Sequence, residues 1–236
     1  MSEVIQDGFA RPSDDASASF DLYTAPTPNG WKVSTVLEEL ELTYALHALD
    51  FAKGEHMTPE RIAMNPNGKI PVLFDRDTQR ATFESNAILL SLARREGKLI
   101  PNEPIAVSEV EQWLFFQAAH LGSMMGQAFV FTTYFPERIA SVIERYRREV
   151  ERLFGVINSR LSSSEFLAGP EYSIADIACI GWTHVHTLLD LSLADWPHVD
   201  AWYEGIMTRP AVQRGLAAPL PLGEKERIEK AKSIVN

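Results

Sequence analysis

Apolar and polar positions follow two rhythms along this chain. Over residues 20–100, short apolar runs are separated by turn-forming residues. From residue 106 onward apolar positions recur at helical spacing. The first run, 20–23, predicts a strand. It breaks at Pro26-Thr27-Pro28-Asn29-Gly30, after which apolar residues at 33, 36, 37 and 40 mark one face of a helix over 30–42. Tyr44, Leu46 and Ala48 predict a second strand over 44–50, parallel to the first through a right-handed connection. Thr58 as N-cap and Pro59 at the first helical position predict a short helix over 59–64. Residues 70–75 and 81–83 read as a hairpin around Arg76-Asp77-Thr78, and 85–96 as a helix stopped by Gly97.

The second half reads differently. Paired prolines in Pro101-Asn102-Glu103-Pro104 predict a linker over 101–105. Long helices are expected over 107–131 and 136–161. In the latter, Ile139, Val142, Ile143, Tyr146, Val150, Leu153, Phe154 and Ile157 form the apolar face. Its outer face, from Glu144 to Arg152, reads as solvated and laced with i,i+4 ion pairs. Ser173-Ile174-Ala175-Asp176 is a capping box, with Tyr172 and Ile177 placed for the accompanying apolar staple. Residues 177–182, apolar nearly all round, should form a buried central helix. A further helix over 196–207 is expected to end before Pro210. The plan is therefore a disordered tail (1–18), then an α+β, thioredoxin-like domain with a four-stranded mixed sheet and three helices (19–100). The linker leads to an all-α helical bundle (106–223) and a charged tail (224–236).

Composition narrows the function. With 236 residues and 45% hydrophobic content the chain can bury a substantial core. A net charge of -10 without a basic block argues against nucleic acid and anionic membrane surfaces as partners. One cysteine forbids an intrachain disulfide and fits a reducing cytosol. The polar, acidic first eighteen residues lack the apolar core of a signal peptide, and no apolar run is long enough to span a bilayer. The expectation is a soluble cytoplasmic protein.

The candidate chemistry lies in three segments. The loop 26–30 offers small polar side chains and free backbone N–H groups at the positive end of a helix dipole, an environment that favours an anion such as a thiolate. Asn65-Pro66-Asn67-Gly68-Lys69-Ile70-Pro71 feeds a strand through an Ile-Pro bond, and Glu84-Ser85 opens an apolar helix. In this order, and with the Ser-Ile-Ala-Asp capping signature, these segments resemble the glutathione transferase family from about residue 20 to 216. The Thr-Pro-Asn form of the loop is similar to its Nu-class, YfcG-like disulfide-bond oxidoreductases. The resemblance implies that Thr27 and Asn29 face and ionise the sulfur of glutathione. A cis Ile70–Pro71 bond would present the Ile70 backbone to the tripeptide. Glu84 and Ser85 would take its γ-glutamyl end, and Lys69 and His56 its glycyl carboxylate, with Arg145 as a further contact. It also implies a homodimer acting on a small disulfide or electrophile, with one or two glutathione molecules, or the disulfide, per subunit.

Rival readings are conjugation, dehalogenation or peroxide reduction on the same fold, and a glutathione-binding regulatory module. Cys179, mid-helix in an apolar run, reads as inert. His184 and His186 lack a companion ligand for a metal, and Tyr23 reads as core. Thr24 is a lesser candidate for the sulfur contact.

Overall fold

The computed structural model describes residues 17–219. The expected tail over 224–236 lies outside the described residues, as does most of that over 1–18. Ser17 and Ala18 differ from the expectation of disorder. Ala18 is buried, its carbonyl accepts from Arg76, and the next residue, Ser19, donates its N–H to Thr43.

β1 (Phe20–Thr24) lies at the centre of a four-stranded sheet. β2 (Tyr44–Ala48) pairs with it in parallel, and β3 (Val72–Asp75) pairs antiparallel on its other side. β4 (Arg80–Phe83) then pairs antiparallel with β3, giving the order β2-β1-β3-β4. The period-2 alternation of β1 sends Phe20, Leu22 and Thr24 to the buried face and Asp21 and Tyr23 to the other. There Tyr23 stacks on His47 with centroids 4.5 Å apart, and the Arg61 guanidinium lies over the Tyr23 ring. Arg61 comes from α2 (Pro59–Met64), which begins at the expected Thr58 cap.

The buried face carries α1 (Pro28–Glu39) and α3 (Ser85–Glu96). α1 starts two residues earlier than expected, because Thr27 caps it and Pro28 tolerates the first helical position. It stops before residue 42, where Glu41 takes a positive φ of 57°. One apolar face was expected, yet every residue from Gly30 to Glu38 is buried. The far side of α1 is covered by α7 (Ile174–Thr183) and α9 (Pro210–Ala217). The approach is close: a Cβ on Gly181 would lie 2.7 Å from the Pro28 carbonyl oxygen, and one on Gly215 2.4 Å from the Thr35 Cα. Polar groups lock the contact. Ser34 donates to the Gly215 carbonyl at 2.7 Å, Arg209 pairs with Glu39, and Arg214 pairs with Glu38, which also accepts from Tyr44.

The all-helical half departs from expectation in four places. Pro104, taken as part of a linker, is the first residue of α4 (Pro104–Phe116), capped by the Glu103 carboxylate. The single helix expected over 107–131 is interrupted twice. A π turn over Gln117–Leu121 precedes α5 (Gly122–Phe129), and a second over Val130–Tyr134 follows it. Pro210, expected only as a terminator, opens α9. α6 (Ala140–Leu161) starts later than 136, since Phe135 and Ile139 keep extended backbone. α8 (Pro197–Met207) matches its expected span closely.

α7 is buried along its whole length and starts at the predicted capping box. Its Asp176 also accepts from the Leu167 backbone at 3.0 Å and the Trp202 indole at 2.9 Å. One carboxylate thus ties the head of α7 to the preceding loop and to α8, its burial offset by four hydrogen bonds.

On the sheet's other face, Asp21 bridges Arg76 at 2.7 Å and His47 at 2.7 Å. The Arg76 guanidinium first, and His47 second, hold its carboxyl down to about 2 against the opposing effect of burial. Because the folded pKa is depressed, this stabilisation is complete above the unfolded carboxyl's range and is lost as pH falls toward the folded value. Asp21→Asn is therefore expected to cost about 1–2 kcal/mol in urea unfolding at neutral pH, with the difference from wild type vanishing near pH 2.

Candidate active site

A cleft of about 970 Å³ opens between the sheet domain and the helical half, within the usual size of small-ligand sites. Thr27, Asn29, Lys69, Ile70, Pro71, Glu84 and Ser85, all expected site residues, line it together. Gln117, Tyr134 and Trp182 line it from the helical side.

The loop before α1 is built to present its N-terminus. Thr27 Oγ1 accepts from the Gly30 N–H at 3.2 Å, so its hydroxyl proton is left to donate elsewhere. Gly30 is required here, since a Cβ would lie 2.3 Å from the Ala25 carbonyl oxygen and 2.4 Å from Thr24 Oγ1. Asn29 Oδ1 accepts from the Trp182 indole N–H at 3.1 Å. An indole N–H can only donate, so the amide oxygen must face Trp182 and the NH2 group turns away from it. A residue of α7 thus sets the direction in which an α1 residue donates. Thr24, the lesser sulfur candidate, is fully buried beneath this loop and does not line the cleft.

The second wall comes from the turn before β3. The buried Asn65 donates to the Lys69 carbonyl at 2.7 Å and accepts from the Asn67 N–H at 3.0 Å, which shapes the turn that presents Lys69. The Ile70–Pro71 peptide is cis, as expected. Glu84 takes a positive φ of 66°, a strained backbone for a side chain of its size, costing on the order of 1–3 kcal/mol. It gives no side-chain cap to α3, so the first N–H groups of that helix have no side-chain cap from it.

Beneath Ser85 lies a residue the sequence pattern did not single out. Lys32 of α1 is only 2% exposed, and its ammonium donates to Ser85 Oγ at 3.2 Å, to Asn86 Oδ1 at 3.1 Å and to Gln117 Oε1. Asn86 in turn donates to the Leu114 carbonyl and to Gln117. Burial brings the Lys32 pKa down to about 7, with Cys179 and Glu84 opposing. Lys32 is not one of the apolar positions, 33, 36, 37 and 40, that mark the predicted face of its helix. Only the packing of α7 and of the first π turn makes its side of the helix an interior one.

Two expected site residues lie elsewhere. His56, in a short turn over Glu55–Met57, does not line the cleft. Its ring packs on Phe51, which does, with centroids 4.4 Å apart, and its Nδ1 is buried without a hydrogen-bond partner. Burial first, and the Lys69 charge second, lower its pKa, which disfavours the imidazolium. Arg145 is a correction. It lies on the outward face of α6, largely exposed, 3.9 Å from Glu149, and lines a separate groove with Met124, Ser141, Val142 and Tyr146. The apolar face of α6, with Val150, Leu153, Phe154 and Ile157, is buried, so the charged face must turn to solvent. Arg147–Glu151 and Arg148–Glu144 pair there at i,i+4, as expected.

Cys179 is fully buried, and burial pushes its thiol far above the usual range, with Asp176 adding to the effect. It cannot act as a nucleophile from that position. His184 and His186 bind Tyr203 and the Thr183 carbonyl. Tyr23 points to the opposite sheet face. Among the described residues no helix is long and apolar enough to cross a membrane.

Comparison with known proteins agrees with this geometry. Residues 18–94 match the glutathione S-transferase N-terminal domain and residues 113–210 the C-terminal domain. The chain is 43% identical to the disulfide-bond oxidoreductase YfcG of Escherichia coli K12, over 83% of this chain and 94% of that protein. A glutathione transferase homolog from Lodderomyces elongisporus, solved with two GSH per subunit, is 34% identical with a TM-score of 0.81, covering 85% of this chain and 98% of that one. The glutathione transferase URE2P6 from Phanerochaete chrysosporium, solved with oxidized glutathione, is 38% identical with a TM-score of 0.80, covering 92% and 98%. Alike in both halves and along nearly their whole length, the chain belongs to the glutathione S-transferase family.

Proposed function

We propose that this protein binds glutathione in the cleft and uses its thiolate to reduce small disulfides, without a protein cysteine taking part. The observation that carries the reading is the pair of donors at the head of α1. The Thr27 hydroxyl and the Asn29 NH2 are both neutral, both line the cleft, and their acceptor sides are already engaged. Two such donors in the field of a helix N-terminus favour the charged form of a sulfur and lower its pKa. Relatives solved with two glutathione molecules or with the oxidised form support the same reading.

The thiolate attacks one sulfur of the substrate disulfide. A glutathione mixed disulfide forms and the other sulfur leaves as a thiolate that takes up a proton. A second glutathione thiolate then attacks the mixed disulfide at its glutathione sulfur, giving glutathione disulfide and the second reduced thiol. Ser85 and the N–H groups of α3 receive the γ-glutamyl carboxylate, Glu84 its ammonium, the Ile70 backbone the cysteinyl portion and Lys69 the glycyl carboxylate. His56 and Arg145 have no part in this scheme, since neither lines the cleft.

Cys179→Ala is expected to leave the rate of glutathione-dependent 2-hydroxyethyl disulfide reduction unchanged, and loss of activity in that variant would overturn the scheme. A protein that binds glutathione but turns over no disulfide or electrophile would be a binding module instead. Thr27→Ala is expected to raise the pKa of the bound thiol by about 1–2 units, read from the pH dependence of its ultraviolet thiolate absorbance, the shift due to one hydrogen bond to a charged acceptor. We also infer a homodimer, because Ile105 and Phe115 of α4 stand 74% and 73% exposed. Gel filtration should return about twice the 26.5 kDa chain mass.

A further inference from the structure

Lys32 has no role in the scheme above, and its surroundings are unusual for a buried cation. Its three acceptors, Ser85, Asn86 and Gln117, are all neutral, and it forms no ion pair among the described residues. Buried charges are ordinarily paired. The titratable groups that face it are Glu84, at the head of α3, and Cys179 of α7. Cys179 stays a neutral thiol, so only Glu84 brings negative charge near it.

The acceptor atoms are fixed in direction. Asn86 spends its NH2 group on Leu114 and Gln117, which turns its oxygen to the lysine. Gln117 holds its own oxygen there from the π turn, so α1, α3 and the long interrupted helix meet at one ammonium. At Ser85 the consequence is directional. When Lys32 donates to the Ser85 oxygen, the hydroxyl proton must point elsewhere, and Ser85 lines the cleft.

We infer that Lys32 is a positioning residue: charged, it aims the Ser85 hydroxyl at the ligand's α-carboxylate and supplies the missing countercharge from below. The inference rests on the reading that glutathione occupies the cleft, and it assigns the specificity for the γ-glutamyl α-carboxylate. The arriving carboxylate stabilises the ammonium in return. Burial leaves Lys32 near half-protonated at neutral pH, so binding in mildly alkaline solution draws in a proton. An uncharged lysine could instead accept from Ser85, turning its donor away from the cleft.

Two measurements test this. The first compares binding of glutathione with that of 4-aminobutyryl-cysteinylglycine, which lacks only the α-carboxylate, in wild type and Lys32→Met. The wild type should prefer glutathione by about tenfold or more, and the variant by only about two- to threefold, a change of the size of one charge-assisted hydrogen bond. A merely structural role would weaken both ligands alike and leave the ratio unchanged, and that result would overturn the inference. The second needs no variant and stands even if Lys32→Met fails to fold. S-methylglutathione, whose sulfur cannot ionise, is titrated calorimetrically at pH near 8 in two buffers of different ionisation enthalpy. Uptake of about half a proton or more per site is expected, and no uptake would sink the proposal. If the wild type binds neither glutathione nor its S-methyl form, the glutathione reading itself falls, a result distinct from binding with an unchanged ratio.

Discussion

Everything at the cleft depends on the burial of α1 on all sides. The helix is pressed between the sheet and α7 with α9, at distances that admit glycine alone at residues 181 and 215. A helix held this tightly cannot tilt or slide, so its N-terminus is a fixed point in the molecule. The groups that cap it, or stand just inside it, inherit that rigidity. Thr27 and Asn29 each accept from a fixed N–H donor, Gly30 and the Trp182 indole, before any ligand arrives.

The same contact makes the two halves of the chain act as one site. Asn29 is oriented by Trp182, and Lys32 is held by Gln117, so both residues of the sheet domain take their direction from the helical half. Preorganised donors of this kind need no rearrangement to face an anion in the cleft. The two π turns serve the same geometry. Each widens a long helix where it borders the cleft, and Gln117 and Tyr134, which line it, belong to them.

Electrostatics divides the polar groups by task. Asp21 and Asp176 are bound into networks that fasten elements together, and neither lines the cleft. Lys32 is different, since its partners satisfy its hydrogen bonds but not its charge. Cys179, the residue whose chemistry is most reactive in principle, is silenced by its surroundings.

The amino-acid sequence by itself determined the order and type of nearly every element. Turn residues, caps and apolar spacing are local, so Thr58, Ser173 with Asp176 and Gly97 could be read without knowing what packs on them. It also named the loops that converge, from Thr27 to Ser85. It could not reveal the π turns, whose extra residue leaves no periodic trace over so few positions, nor that prolines at 104 and 210 begin helices. Tertiary structure alone decided which polar residues matter. Lys32, Gln117 and Trp182 become parts of one cleft because distant segments cover them, and Arg145 leaves it because the apolar face of α6 takes the interior. The physical reason is that burial is a property of the whole packed chain, whereas helical period describes only a helix alone in water.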